Sequence, residues 1–309
     1  MKIAVYGIGG VGGYFGARLI QAGNDVYFIS RGDTIDKIRS DGLILESING
    51  NAHLNNIKIT EDINSIGTVD LLILAVKTWQ VKDIVLSLKS LIGDNTSILP
   101  LQNGVETVDI LLENYSKKNV LGAMCRIVAY KTAANKILHT DVDPSITYGE
   151  LDNSITKRVK DIECTLLDAD IKAIIPNDIH SMIWQKFLFV TSTSGVGAVT
   201  RSPYGVFRSV TESRELLKSS MEEITSIAIK KNIKMPDSIV EKNMDRMDSL
   251  AYDTTASTQR DIMEGRPSEL ENLTGAVVRY GHELNIDTPV SNFIYASLLP
   301  MELKARKMI

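Results

Sequence analysis

Lys186 is the residue of this 309-residue sequence whose setting most needs a chemical reason. It stands inside MIWQKFLFV, a run apolar on nearly every side and therefore read as part of a buried helix starting at Asp178, a good N-cap. An ammonium on the stripe of Ile179, Ile183 and Val190 needs a carboxylate, a bound anion or a depressed pKa, because burying unpaired charge is costly. Buried lysines are also those whose pKa moves from about 10.4 towards the working range. The alternative is that the stem packs while the amine reaches water.

A second group of residues points to a ligand. Gly7, Gly9 and Gly12 in KIAVYGIGGVGGYFG have the G-x-G-x-x-G spacing, between a strand-like Ile3 to Tyr6 and a helical pattern through Ala22. That arrangement gives a sharp turn, a close backbone approach to a pyrophosphate and a helix N-terminus aimed at it. The plain alternative is a steric glycine turn. The next strand, Asp25 to Ser30, ends at Arg31 with no carboxylate before it, where a dinucleotide site that takes NADP uses arginine for the 2'-phosphate. Arg31 as a mere exposed turn residue is the competing reading.

These residues need a scaffold that gathers them. Asp70 to Val76 and Ser97 to Leu101 are continuous apolar runs, as expected of parallel strands buried on both faces, and they deliver Lys77 and Asn103 at their carboxyl ends. Open parallel sheets bind ligands outside those ends, so Gly7, Arg31, Lys77 and Asn103 are expected at one crevice. Whether Lys77 meets cofactor or substrate is left open. Asn49-Gly50 signals a hairpin between Leu43–Glu46 and Ala52–Thr60. The alternation from Val120 to Gly149 predicts an antiparallel extension of the sheet, followed by a helix near Asn153–Leu167 and a strand at Lys172–Ile175.

Pro176-Asn177-Asp178 marks the boundary between domains 1–177 and 178–309. Beyond it the pattern is helical, at Thr211–Lys231, Pro236–Leu250, Ser257–Glu264, Ser268–Leu284 and Pro289–Lys307. Glu269 and Glu271 then fall at a helix start, as caps or dipole partners.

A net charge of −4 leaves no basic excess for nucleic acid. No apolar run approaches the roughly 20 residues of a membrane span. Cys125 and Cys164 form no C-x-x-C and are expected as reduced thiols in the cytoplasm. The four histidines lack metal-ligand spacing, so no metal is expected.

GIGGVGGYFG, Arg31, LAVKTWQV, LQNGVE, IWQKFLF and the stretch from Ser257 through GRPSELENLTG to NIDTPV together resemble the ketopantoate reductases (2-dehydropantoate 2-reductases) along the whole chain. The resemblance implies an α/β fold. An N-terminal Rossmann-type doubly wound sheet would precede an all-helical C-terminal domain like that of 6-phosphogluconate dehydrogenase, with the active site in the interdomain cleft. It implies NADPH held by Gly7, Gly9, Gly12 and Arg31, with Lys77 and Asn103 near cofactor and substrate. It also implies a catalytic Lys186 assisted by Glu269, and a substrate-binding Ser257. The partner is then a small 2-oxo acid, with 2-dehydropantoate favoured and pantothenate biosynthesis the setting; a homodimer is compatible with it. Another 2-oxo acid, or a non-catalytic NADP-binding sensor, are the alternatives. Where the family commonly carries asparagines four and eight residues beyond the lysine, this chain has Val190 and Ser194, which bears on the choice of substrate.

Overall fold

Along the first strand, Ile3 and Val5 enter one apolar cluster while Ala4 and Tyr6 enter another, and all four are buried. A strand covered on both faces belongs inside a layered α/β sheet. The computed structural model describes all 309 residues, as two compact units: Met1–Gln102 with Thr107–Ile179, and Asn103–Glu106 with His180–Ile309.

The first unit runs β1 (Lys2–Tyr6), α1 (Gly10–Gln21), β2 (Asp25–Ile29), α2 (Asp33–Asp41), β3 (Leu43–Ser47), β4 (Ala52–Leu54), β5 (Lys58–Thr60) and β6 (Leu71–Leu74). It continues through α3 (Val81–Ile84), β7 (Ser97–Pro100), α4 (Thr107–Leu112), β8 (Gly122–Arg126), β9 (Ala129–Ala133), β10 (Lys136–His139), β11 (Ser145–Gly149), α5 (Lys157–Leu167) and β12 (Lys172–Ile174). Five strands form a parallel sheet in the order β5-β2-β1-β6-β7. The chain builds outward from β1 on both sides, so the strand order reverses there, and such a reversal opens a crevice at the carboxyl ends.

Two expectations about strands are corrected. Only β4 pairs with β3 as the hairpin arm; after Asn56, whose φ is 57°, the chain leaves and β5 adds in parallel to β2. The region from 120 to 149 does not extend the main sheet antiparallel. It forms parts of two further sheets, ordered β4-β3-β10-β9 and β12-β11-β8, each mixing parallel and antiparallel pairs. A single parallel bridge, Ile98 to Val120, joins this region to β7 before β8 turns to β11. Alternation in a sequence specifies a strand's faces and leaves its neighbour unspecified. The hairpin turn is anchored by Arg18 of α1, which is buried and donates to the carbonyls of Asn49 and Gly50 at 3.0 and 2.7 Å.

The second unit is helical: α6 (Ile179–Thr200), whose first residue groups with the first unit, α7 (Tyr204–Arg208), α8 (Thr211–Lys230), α9 (Ile239–Ser249), α10 (Ser257–Met263), α11 (Thr274–Leu284) and α12 (Pro289–Ala305). Trp184, Phe187 and Leu188 of α6 share a core with Leu217, Met221 and Ile224 of α8 and Ala276 and Val277 of α11. Buried Glu223 of α8 accepts the backbone N–H groups of Val290 and Ser291, closing the N-terminus of α12 from another helix. No helix is long and apolar enough to cross a membrane. The helix expected from Ser268 begins instead at Thr274, so Glu269 and Glu271 lie in the turn before it.

Candidate active site

The glycine turn is shaped by contacts of its own backbone. Gly7 has a φ of 102°, and its N–H donates to the carbonyl of Ile29 at 3.0 Å, tying the end of β1 to the end of β2. A Cβ on Gly12 would fall 2.0 Å from the Gly7 carbonyl oxygen, so the first turn of α1 sits directly on the loop. A Cβ on Gly9 would meet nothing within 4 Å. Gly9 is the N-cap of α1, no side chain caps it, and the first turn holds no acid. An open backbone ahead of an uncapped, positive helix end fits a dinucleotide pyrophosphate.

The other carboxyl ends surround this turn. Ala75, leaving β6, lies 3.0 Å from the place of a Gly7 Cβ, and two residues later half-buried Lys77 holds its Nζ 5.7 Å from the centre of the Trp79 ring. Arg31 is exposed just beyond β2. Gln102, beyond β7, is buried; its amide donates to the Val76 carbonyl at 3.2 Å, and its Oε1 has no partner within the chain. That buried acceptor at the carboxyl edge is a feature that hydrophobic patterning does not mark.

Asn103 itself groups with the helical unit. Its Nδ2 donates to Oε2 of Glu269 at 3.0 Å, and Glu269 is 3% exposed. The turn carrying Glu269 is held from a distance. Buried Glu302 of α12 accepts the N–H of Ser268 at 3.1 Å and its hydroxyl at 2.5 Å, and receives Nε of Arg306 at 2.6 Å. Arg306 also donates to the Ser268 carbonyl. On the far side of the turn, Glu271 accepts the Tyr295 hydroxyl at 2.6 Å and pairs with Arg279, which reaches both oxygens of Glu106 at 2.9 Å. The segment Asn103–Glu106 is thus fastened at both ends, by Glu269 and by Arg279.

Lys186 is half-buried, not enclosed as the apolar run suggested. Met182, Lys186 and Val190, spaced by four, are the less buried line of α6, while Ile179 and Ile183 are buried. The next position on that line, Ser194, is 2% exposed, and its hydroxyl has no partner. Thr191 and Thr258 likewise carry buried hydroxyls without partners. Such groups cost free energy unless something satisfies them. Ser257 is the exposed first residue of α10. Helices α6 and α10 meet where a Cβ on Gly197 would lie 2.5 Å from the Gln259 amide oxygen. No group of three His, Cys, Asp or Glu side chains is placed to hold a metal ion.

The family model described as ketopantoate reductase PanE/ApbA matches residues 3–153, and its C-terminal companion matches residues 178–302. The chain belongs to the ketopantoate reductase family. It is accordingly an oxidoreductase that uses a nicotinamide dinucleotide, with an α/β doubly wound domain ahead of a helical one. A Bacillus subtilis oxidoreductase, YkpB, is 28% identical over 298 residues, covering 96% of this chain and 98% of its own length. A 2-dehydropantoate 2-reductase of Nostoc is 28% identical over 302 residues, covering 96% of this chain and 94% of its own. The solved structure of a D-mandelate dehydrogenase with NADH and anilino(oxo)acetate matches 99% of this chain and 100% of that one with a TM-score of 0.90 at 21% identity, a likeness of fold.

Proposed function

We propose that this protein reduces a 2-oxo acid to the 2-hydroxy acid with NADPH, and that 2-dehydropantoate is the substrate. The observation that carries the reading is a half-buried lysine on α6 in the same unit as a buried carboxylate, Glu269, that is hydrogen-bonded to Asn103. Together they supply a proton donor, an acceptor and an amide for a small polar molecule.

Dihydronicotinamide, when bound, supplies the hydride to C2 of the substrate. The remaining work falls to the chain. Gly7, Gly9 and Gly12 admit the pyrophosphate against α1, Arg31 meets the 2'-phosphate, and Lys77 borders the cofactor. As C2 becomes tetrahedral its oxygen takes up negative charge, which the Lys186 ammonium stabilises and then neutralises by giving a proton from Nζ. Asn103 and Ser257 orient the acid, and Glu269 accepts a substrate hydroxyl or holds Lys186.

Purified protein should oxidise NADPH when ketopantoate is added. Lys186→Ala should lower that rate by about 10²- to 10⁴-fold, the usual worth of a positioned general acid, while leaving NADPH binding in place. A variant that turns over like the wild type rejects the proton donor.

One observation favours a second reading. Val190, one turn beyond Lys186, offers no hydrogen bond, whereas Ser194 offers a hydroxyl. A site short of polar partners discriminates weakly in favour of a substrate hydroxyl, and a protein of the same fold is named for mandelate. The second reading is a branched 2-oxo acid lacking the terminal hydroxyl. A panel of such acids beside ketopantoate separates the two, and failure of all of them despite NADPH binding would leave a non-catalytic sensor.

A further inference from the structure

Strand β9 connects the two ends of the proposed cofactor site. At its start, the Ala129 carbonyl oxygen lies 2.0 Å from where a Cβ on Gly10 would be, so β9 presses on the N-terminus of α1 where the pyrophosphate is expected. Two residues on, the Nζ of Lys131 donates to the hydroxyl of Thr34 at 2.5 Å. Thr34 lies in the first turn of α2, three residues after Arg31, beyond Gly32 with its φ of 64°. Two residues of extended strand span about 6.6 Å, so β9 passes from the pyrophosphate end to the end of β2, where the ribose belongs. It is the edge strand of its sheet, which leaves that side open.

Lys131 takes part in no ion pair of the chain, and neither does Arg31. Lys131 is an exposed residue of β9, yet partial desolvation pulls its ammonium below the ordinary lysine range. Two cations with no carboxylate of their own therefore belong to the short segment Gly32–Thr34, Arg31 preceding it in the chain and Lys131 bonded to its last residue. A dianionic phosphate is the ligand whose charge suits such a pair, and a 2'-hydroxyl has no use for it.

We propose that Lys131 is a second determinant of NADPH selectivity, reaching from β9 to grip the ribose 2'-phosphate opposite Arg31, with Thr34 as the rest that holds its ammonium in place. This rests on the NADPH reading above. The test is calorimetric binding of 2',5'-ADP and of 5'-ADP to the wild type, Lys131→Met and Lys131→Arg, with thermal melting of each as a check on folding. Methionine keeps the stem's packing and removes the charge. Lys131→Met should weaken 2',5'-ADP about tenfold, the size of one exposed charge-assisted contact, and leave 5'-ADP unchanged. Lys131→Arg should retain most of the preference. A wild type that binds both nucleotides equally overturns the NADPH reading and the inference with it. A wild type that prefers 2',5'-ADP while Lys131→Met keeps that preference, or loses both nucleotides equally, overturns the inference alone.

Discussion

The turn at residues 7–9 and the turn at 268–273 both deliver the chain into a helix, α1 in one case and α11 in the other. The first is built from backbone. Gly7 reaches the Ile29 carbonyl, Gly12 seats on the Gly7 carbonyl, and no side chain caps the helix. The second is built from side chains, two of them, Tyr295 and Glu302, from α12: Glu302 and Arg306 hold Ser268, Tyr295 and Arg279 hold Glu271, and Asn103 meets Glu269. A backbone turn leaves N–H groups facing outward for a phosphate common to every dinucleotide. A turn made of carboxylates fixes particular acids in particular places, as selection of one small molecule requires.

The sharpest way to break this contrast is at Gly12. Gly12→Ala puts a methyl against a backbone oxygen that has no rotamer to yield, and should cost about 3 kcal/mol, the upper end for overpacking, read by urea denaturation. Gly9→Ala places its methyl in open space and should leave stability almost unchanged while weakening NADPH. Equal stability losses at the two positions would mean that the loop is not set by the Gly12 contact.

Next in size is the support of the second turn. Glu302→Gln removes a charge that receives Ser268 and Arg306, and should destabilise by about 2 kcal/mol, in the range for hydrogen bonds to charged groups. It should also raise the KM for the oxo acid more than that for NADPH, because Glu269 is next to Ser268. Unchanged stability would show that the turn is held without α12.

The same contrast governs how much of each turn is legible in the sequence. Apart from the tie to Ile29, the strand, glycines and helix of the first turn are consecutive in the chain and all appear in the local pattern. So do the buried β6 and β7, because a strand covered on both faces is apolar throughout. Pro267 followed by two acids imitates a helix N-terminus at Ser268, six residues before α11 starts. The Ser268 carbonyl, which a helix would give to the N–H of residue 272, instead accepts from Arg306, 38 residues away, and the Asn272 N–H bonds the Glu269 carbonyl. Likewise the apolar run around Lys186 hides a less buried line, since how far Met182, Lys186 and Val190 are covered is a property of their neighbours and not of α6. The partners of β5 and β8 are also set by strands far along the chain, β2 and β11.

The smallest effect belongs to Tyr295, at the outer edge of the carboxylate turn. Burial, and then its hydrogen bond to Glu271, push the phenol up to about 12. Its pKa is therefore raised above the unfolded value of about 10, so its contribution to stability is complete below pH 10 and is lost as pH rises through about 12. Tyr295→Phe should cost about 1 kcal/mol at neutral pH, with the bond partly exposed to solvent. The difference from the wild type should stay constant from neutrality to about pH 10 and begin to shrink above it. In a spectrophotometric titration the wild type should show one late phenol that the variant lacks. No deficit at neutral pH would mean that Glu271 is held by Arg279 alone, and that the side-chain turn has one support fewer than its hydrogen bonds imply.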